Sequence, residues 1–482
     1  MPDPNRCGAS GAALIHRCAF AATVACVLVA AAGSVRAQIG GGGGGVGGGG
    51  GGIGGAGVII DANGTLRMQQ VADQSRELLQ ERRKAAVAAM PADLGKRSPL
   101  RKVALSRLEA EVAKAAAAGQ ALPDELQKLA GLTRVRYVFV YPAEGDAPGE
   151  VVIAGPAEPW MADATSRIVG TESGSPTVLL EDLAAAIRCF APGHPRDQVI
   201  GCSIDPTKEG LAAMQEFLRK TGRVNPQGGA AAIVSGMKEA LGPQTVSVQG
   251  VSPATHFAQV MVEADYRMKL IGIGLERPVV KMATWVDLAA GGAAAANALK
   301  RWYFVPEYKC LRISEDDLAV ELVGQGVKLC GADEVVLPDG RRMDANQADR
   351  ASKTFTDTFT KKYPDIAARN PVYGQLRTLV DLAVVAAYMQ EHDAYGRARW
   401  GAETLADEKR YAIERLQPPT EVETAINAVW RGNRLLTPIG GGVTMHPRMA
   451  LDSPNLLADE KGEVSAARTA TAKLPEGRWW WD

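Results

Sequence analysis

The chain has 482 residues, too many for one ordinary hydrophobic core, and this length is typical of about two or three compact units. Its 54 basic and 54 acidic residues give a formal net charge of zero. No overall electrostatic field draws such a chain to nucleic acid, so we expect no nucleic-acid partner.

The N-terminus is typical of a secretory signal peptide over residues 1–37. Basic residues precede an uncharged run over residues 18–32, and small residues follow at Val35 and Ala37, where a signal peptidase would read them. The run is shorter than the about 20 apolar residues that a membrane anchor needs. We therefore predict cleavage before Gln38, a secreted or periplasmic protein of the cell envelope, and no transmembrane segment in the mature chain.

Residues 38–57 are almost entirely glycine and predict a flexible linker, because they offer no side chains to bury. Residues 58–131 predict an N-terminal helical region. After a short strand, helices are expected over Leu66–Met90 and Pro99–Ala118, with Ser98 as the N-cap of the second.

Residues 132–250 alternate between strand and helix patterns. This alternation predicts an α/β or α+β fold with a mixed-sheet layered core. Strands are predicted at 135–142, 150–156, 198–206 and 244–252, and helices at 179–190, 207–222 and 230–242.

Residues 251–450 predict a further folded region that ends in helices. The strands predicted at 302–308, 318–324 and 326–332 are antiparallel, and the last two are joined at Gly324-Gln325-Gly326. Residues 346–363 and 371–391 predict helices. Residues 451–482 are polar and predict a mostly irregular tail.

Seven cysteines occur, and three of them lie in the predicted signal peptide. An even set remains: Cys189, Cys202, Cys310 and Cys330. Four cysteines in an oxidising compartment allow three pairings, of which we predict the sequence-local one, 189 with 202 and 310 with 330. Each disulfide would stabilise the fold by about 3 kcal/mol.

The most unusual stretch is residues 256–274, in which two acids and two bases alternate inside an apolar run. As a strand, it would place Glu263, Asp265, Arg267 and Lys269 on one face, as a polar floor suited to acid and base chemistry. As a helix, it would separate them into two i,i+4 ion pairs on opposite flanks, Glu263 with Arg267 and Asp265 with Lys269. The length and the residue types favour the helix.

Other motifs that carry chemistry are incomplete. Residues 170–177 lack the lysine of a phosphate-binding loop, and residues 201–205 lack the serine and final glycine of a nucleophile elbow. We therefore expect no metal and no cofactor.

Three adjacent tryptophans, Trp479, Trp480 and Trp481, close the chain before Asp482. Three aromatic side chains at a free end are costly to leave in water, so they should dock on a partner or on this chain's own body. The tail is long enough to reach back, which favours docking on the body.

Two segments resemble a known family. They are HFAQVMVEADYRMKLIGIGLE, residues 256–276, and LAVELVGQGVKLCG, residues 318–331. Both are similar to the domain-of-unknown-function family 1598, secreted proteins of planctomycete bacteria, and the likeness is strongest over residues 251–336. The resemblance implies an exported bacterial protein with no established activity, so no catalytic residue can be carried over.

Three functional hypotheses follow. The leading one is a non-enzymatic protein that binds a partner or an envelope component, with the N-terminal helical region and the tryptophan end as contact surfaces. The alternatives are a hydrolase of an envelope polymer and a structural subunit of a cell-envelope assembly. The hydrolase requires that Glu263, Asp265, Arg267 and His256 converge in a cleft. The sequence does not indicate an oligomeric state.

Overall fold

The structure is a computed structural model, and it describes most of the chain after residue 55. The described residues are 56–70, 75–221, 230–289, 298–336, 342–344, 350–427, 429–431, 434–436, 440–473 and 475–482. The predicted signal peptide, and the predicted linker except for residues 56 and 57, lie outside them. Within them the fold is a mixture of helices and of parallel and antiparallel strands, which confirms the predicted α/β class.

The strands are as follows in chain order. They are β1 (Ala56–Ile60), β2 (Thr65–Gln70), β3 (Ser98–Ala104), β4 (Tyr137–Tyr141), β5 (Glu150–Ala157), β6 (Trp160–Ala162), β7 (Ile168–Gly170), β8 (Ile200–Pro206), β9 (Gln244–Gln249), β10 (Ala298–Pro306), β11 (Leu311–Ile313), β12 (Ala319–Leu322), β13 (Val327–Val336), β14 (Arg342–Asp344), β15 (Glu421–Val422), β16 (Val429–Arg431), β17 (Arg434–Leu436), β18 (Gly441–Met445), β19 (Leu456–Ala458) and β20 (Trp480–Trp481).

Thirteen α-helices occur among the described residues, and two short 3₁₀ turns lie at Leu129–Gly131 and Pro447–Leu451. They are α1 (Arg76–Ala88), α2 (Leu105–Ala117), α3 (Asp124–Gln127), α4 (Leu180–Cys189), α5 (Lys208–Thr221), α6 (Ala230–Leu241), α7 (His256–Gly272), α8 (Trp285–Ala289), α9 (Arg350–Lys361), α10 (Tyr363–Arg369), α11 (Pro371–Glu391), α12 (Ala394–Ala398) and α13 (Glu463–Thr471).

A nine-stranded sheet holds the larger part of the fold, in the order β1-β2-β15-β9-β8-β18-β10-β13-β14. Near its centre lies β18, which pairs antiparallel with β8 and parallel with β10. Gly442 of β18 lies between Ser203 and Tyr303 in the register. One face of the sheet is covered by α7, which packs on β8 and β18, and by α9, which packs on β13.

A seven-stranded sheet has the order β19-β11-β12-β4-β5-β3-β20. The strands predicted near 318–324 and 326–332 are present, but their predicted hairpin is wrong. The first is β12, in this sheet, and the second is β13, in the nine-stranded sheet. Gly324 and Gly326, with φ of 76° and 81°, turn the chain from one sheet to the other, a backbone conformation that favours glycine.

The N-terminal region is less helical than predicted. Residues 65–70 form a strand, and α1 begins only at Arg76, where Ser75 is the N-cap. The segment from Ser98 to Ala104 is also a strand, because its backbone pairs with β5 on one side and with β20 on the other. Ser98 and Pro99 favour the start of a helix locally. This tertiary pairing outweighs that local preference, as it often does.

The tail also has more regular structure than predicted, since residues 451–482 form β19, α13 and β20. Trp480 and Trp481 pair with β3, and Trp481 is buried. The guanidinium group of Arg101 lies 4.7 Å from the centre of the Trp480 ring and donates to the Asp482 carboxylate at 2.8 Å. Trp480 and Trp481 thus dock on the chain's own body, the arrangement that the length of the tail favoured.

Two helices form the centre of the core. The long helix α11 packs against both α4 and α7, so that α7 lies between the nine-stranded sheet and α11. In α7 every residue after His256 except Gln259 is buried. Among the described helices none has the length and apolar character that a membrane crossing requires.

Candidate functional site

The charged stretch of the sequence is helix α7, as predicted. It begins after Thr255, whose hydroxyl oxygen accepts a hydrogen bond from the backbone N–H of Ala258 at 3.3 Å. The two predicted ion pairs form on separate flanks, but they lie in the core and not at an exposed edge. Glu263 is 3% exposed and Asp265 is 0% exposed.

On one flank, Glu263 belongs to a network of four charged side chains. Arg267 lies 3.4 Å from Glu263 and 2.7 Å from Glu276, and Arg167 forms a close ion pair with the other oxygen of Glu263. Burial raises the pKa of Glu276, whereas its bonds to Arg267 oppose that rise. The two acids and two bases leave this network without net charge, which is the condition for burying it.

On the other flank, Asp265 has a single ion-pair partner among the described residues, Lys269, at 2.9 Å. Lys269 also donates to the carbonyl oxygen of Ile204 at 3.1 Å. Asp265 Oδ1 has no hydrogen-bond partner in the described part of the chain, and burial raises the pKa of this carboxyl to about 6. Gly441 fits against the pair, since an added Cβ would lie 2.5 Å from Lys269 Cε.

The separation of these two flanks bears on the predicted cluster of acids and bases. The structure joins Glu263 directly to Arg267, and hydrogen bonds through Arg167 and Gln375 connect Glu263 to His256. Asp265 lies on the opposite flank of α7, so the four side chains do not converge. None of the four lines any of three hollows among the described residues, of about 430, 440 and 280 Å³. The hydrolase hypothesis therefore loses the side chains on which it depended.

His256 lies at the start of α7 and has both ring nitrogens engaged. Its Nδ1 is 3.0 Å from Asp182, and its Nε2 is 3.2 Å from the amide nitrogen of Gln375. The amide oxygen of Gln375 accepts from Arg167 Nε at 2.9 Å, so the amide nitrogen must donate to His256 Nε2. Burial, the largest single influence, disfavours the imidazolium, but the charge and hydrogen bond of Asp182 together with the charge of Glu181 outweigh it and raise the pKa of His256.

One pocket that was not predicted from the sequence is built by an irregular segment. Residues 401–420 contain neither helix nor strand, and we call them the strap. Ordered segments of this length without secondary structure are usually functional. The strap begins next to Trp400 and ends where β15 joins the nine-stranded sheet.

The strap is fixed to α2 by a buried carboxylate. Glu109 accepts from the backbone N–H groups of Thr404 and Leu405, at 2.6 and 2.9 Å, and from the indole N–H of Trp400 at 2.5 Å. Hydrogen bonds to a charged acceptor are stronger than those between neutral groups.

The strap is fixed to α4 by Arg188. This side chain donates to the carbonyl oxygens of Leu405 and Tyr411, at 2.9 and 2.5 Å, and to the carboxylate of Glu408 at 2.5 Å. Glu408 in turn accepts from the N–H of Ile413 at 3.0 Å. The strap is thus held by charged groups from two helices.

Between the strap and helices α2, α3 and α4 lies a pocket of about 440 Å³, which we call the strap pocket. Its lining combines an apolar wall with a few charged groups, as ligand pockets commonly do. The lining residues are Val112, Ala116, Gln120, Ala121, Leu122, Gln127, Lys128, Ile168, Leu179, Glu181, Arg410, Tyr411, Ala412 and Arg415.

Glu181 is the one carboxylate in this lining, and it lies in the first turn of α4. Burial and the neighbouring Asp182 raise its pKa, while His256 and Arg415 oppose the rise. Burial, followed by the charge of Glu181, raises the pKa of the Tyr411 phenol. A carboxyl group with a perturbed pKa in a cleft is a common mark of a functional site.

The hollow of about 430 Å³ lies on the open face of the nine-stranded sheet, above Gly442. Hydroxyl and amide groups line it, among them Ser203, Ser247 and Gln249. Its one charged side chain is Arg301, which already lies 3.8 Å from Asp205. The charge of this hollow is therefore already paired within the protein, whereas the strap pocket contains charged side chains without an ion-pair partner among the described residues.

The predicted disulfides are wrong: Cys189, Cys202, Cys310 and Cys330 are all free thiols. Cys202 lies in β8, where the charges of Asp265 and Lys269 act on its thiol. Cys189 is the last residue of α4. Cys330 is in β13 of the nine-stranded sheet. Cys310 immediately precedes β11 of the other sheet, and burial raises the pKa of its thiol to about 12, which keeps it protonated.

No group of three or more His, Cys, Asp or Glu side chains in the described ranges is arranged to hold a metal ion. Two features of the sequence lie at the strap pocket but do not by themselves indicate it. They are the acid pair at 181–182, which opens a helix, and the long turn-rich segment between Trp400 and Glu421.

Comparison with known proteins adds one match. Residues 202–285 match the family described as "Protein of unknown function (DUF1598)". The matched stretch runs from β8 to the start of α8 and contains the whole of α7, so the resemblance is confirmed there. It begins earlier than the strongest likeness we predicted, which was over 251–336. No curated protein and no solved structure matches the chain.

Proposed function

We propose that the protein is an exported, non-enzymatic binding protein and that the strap pocket is its ligand site. The observation that carries the proposal is the strap itself. A long irregular segment is held against two helices by Glu109 and Arg188, and it forms one wall of a pocket of about 440 Å³. Fixing the strap costs conformational entropy, and a preformed site offsets that cost when a ligand binds.

The same lining favours binding over hydrolysis. Among the described residues that line the pocket there is one carboxyl group, Glu181, and there is no serine, threonine, cysteine or histidine. Most glycoside hydrolases need two carboxyl groups flanking the scissile bond. Acyl transfer needs a nucleophile beside a base. The assembly-subunit hypothesis stays a prediction that light scattering would test.

The experiment fills the pocket without disturbing the core. Ala116 is an exposed residue of α2 that lines the pocket, and Ala117 is an exposed neighbour that does not. Ala116→Trp and Ala117→Trp therefore form a matched pair. Purified wild type and both variants would be screened by thermal shift against amino acids, sugars, nucleosides and fatty acids.

We expect one ligand class to raise the melting temperature of wild type and of Ala117→Trp, but not that of Ala116→Trp. At a ligand concentration of 100 times Kd the stabilisation is about 2.7 kcal/mol, or about 2 to 3 °C for a chain of this size. If no class raises it, or if both tryptophan variants respond as wild type does, the pocket is not the ligand site.

Export is part of the proposal and is supported by the signal-like N-terminus and by the resemblance to secreted planctomycete proteins. The full chain, expressed in a Gram-negative host, should be recovered from the periplasm or the medium with Gln38 as its first residue. An Ala37→Arg variant should keep the signal peptide, since signal peptidase reads a small residue there. A cytoplasmic wild-type protein that begins at Met1 would overturn export.

A further inference from the structure

Four charged side chains line the strap pocket, and they divide into two kinds. Lys128 forms a close ion pair with Asp124, and Arg410 lies 3.0 Å from Glu403. Both cations are thus neutralised by carboxylates outside the lining.

The other two, Glu181 and Arg415, have no ion-pair partner among the described residues. The Arg415 side chain donates to the carbonyl oxygen of Ala412 in its own strap. Within the described part of the chain, the Glu181 side chain makes no hydrogen bond and no ion pair, although Arg415 is one of the charges that act on its pKa. The pocket therefore holds one carboxylate and one guanidinium that face it separately.

The lack of an ion pair between Glu181 and Arg415 indicates a site for a charged ligand, because burying an unpaired charge is costly. Glu181 is half-buried, and burial is the main cause of its raised pKa. A cation placed beside it would favour the ionised form and recover part of the desolvation cost. Arg415 offers a planar fork of N–H donors that suits a carboxylate.

The remainder of the lining is largely apolar and comes from α2, the loop after it and the segment before α4. Val112, Leu122, Ile168 and Leu179 supply this wall. Aliphatic side chains of this kind bind an aliphatic group at about 0.8 kcal/mol for each buried CH₂.

We infer that the strap pocket binds a small zwitterion with an aliphatic side chain, of the class of an α-amino acid. Its ammonium group lies on Glu181, its carboxylate on Arg415 and its side chain on the apolar wall. The inference rests on the proposed function and adds the ligand class to it.

The first test compares leucine with three relatives by isothermal titration calorimetry on the purified chain. The relatives are 4-methylpentanoate, which lacks the ammonium group, leucinamide, which lacks the carboxylate, and serine, which lacks the aliphatic group. Leucine should bind at least about tenfold more tightly than the first two, because hydrogen bonds to charged groups contribute about 1.5 to 3 kcal/mol. It should exceed serine by a similar factor, because serine has no aliphatic group to bury against the apolar wall.

The second test assigns each charge to its residue. Glu181→Gln should weaken leucine about tenfold or more and leave 4-methylpentanoate unchanged. Arg415→Gln should weaken leucine by a similar factor and leave leucinamide unchanged. Arg410→Gln is the matched control from the same lining. It should change leucine affinity by less than about threefold, because Glu403 already neutralises Arg410.

The outcomes separate this inference from the function beneath it. If leucine binds no better than 4-methylpentanoate and leucinamide, or if Arg410→Gln weakens it as much as Arg415→Gln does, the zwitterion assignment fails. Binding of some other class at the pocket would then leave the proposed function standing. If the Ala116→Trp screen finds no ligand at all, the proposed function itself fails.

Discussion

The two flanks of α7 carry the same pattern, an acid followed four residues later by a base, and bury it in different ways. Glu263 and Arg267 form further ion pairs, Glu263 with Arg167 and Arg267 with Glu276. Asp265 has only Lys269 as an ion-pair partner, and its Oδ1 accepts no hydrogen bond in the described part of the chain.

The difference shows that helix spacing alone does not set the energy of an ion pair. Exposed i,i+4 pairs contribute about 0.2 to 0.5 kcal/mol, whichever flank they occupy. Once buried, an acid is kept ionised only by the number of its partners and donors. On the Asp265 flank those are few, and the pKa of Asp265 rises to about 6.

The largest expected effect comes from removing the shared cation. Arg267→Met leaves Glu276 buried without its basic partner and takes one of two cations from Glu263. Breaking a buried charge pair costs about 3 to 5 kcal/mol. Urea denaturation at pH 7.5 should show a loss of that size in the free energy of unfolding.

The matched control is Arg219→Met in α5. Arg219 lies 2.6 Å from Glu216 with both side chains in solvent, so its removal should leave the unfolding midpoint essentially unchanged. Equal losses in the two variants would show that the network around Arg267 contributes no more than a surface pair.

A smaller effect should follow from crowding the Asp265 flank. In Gly441→Ala the new Cβ would lie 2.4 Å from the carbonyl oxygen of Trp302 and 2.8 Å from Asp265 Oδ1. Backbone and a buried ion pair cannot both move away, and overpacking of this kind costs about 1 to 3 kcal/mol. Urea denaturation at pH 7.5 measures it.

Gly95→Ala is the control for that substitution. The nearest atom to its added Cβ, the carbonyl oxygen of Pro91, would lie at 3.5 Å, an ordinary contact. Its stability should stay close to that of wild type. A Gly441→Ala protein as stable as Gly95→Ala would mean that this flank is loosely packed.

The sequence predicted the helices on which this comparison depends. The length and the residue types of 256–274 predicted α7, and the bounds of α11 match the prediction of 371–391. The spacing also gave the correct ion pairs. It did not predict their burial, because a run with four charges looks half-exposed until the sheet and α11 cover it.

The candidate site could not be predicted in the same way. Glu109, Glu181 and the strap residues are far apart in the sequence, and only the tertiary fold brings them to one pocket. Local signals also misled where pairing decided the outcome. Ser98 and Pro99 resemble a helix start, yet β5 and β20 draw the segment into a sheet.

The last prediction removes the cation from the less-connected flank. In Lys269→Met, Asp265 can take up a proton, since its pKa is already about 6 with Lys269 present and rises further without it. At pH 5 the carboxyl group is neutral and needs no cation. The cost there should be at most about 1 kcal/mol, the contribution of the lost hydrogen bond from Lys269 to Ile204.

The sign of the pH dependence follows from the bound protons. Above about pH 6 the wild-type Asp265 ionises and pairs with Lys269, while the folded variant retains its proton and so loses stability relative to wild type. The penalty should grow by up to about 1.4 kcal/mol per pH unit between pH 6 and 8. Lys238→Met, from the exposed pair with Glu423 at 3.5 Å, is the control and should show no such growth. A penalty in Lys269→Met that is as large at pH 5 as at pH 8 would mean that Asp265 stays ionised in the core, and the two flanks of α7 would then differ only in geometry.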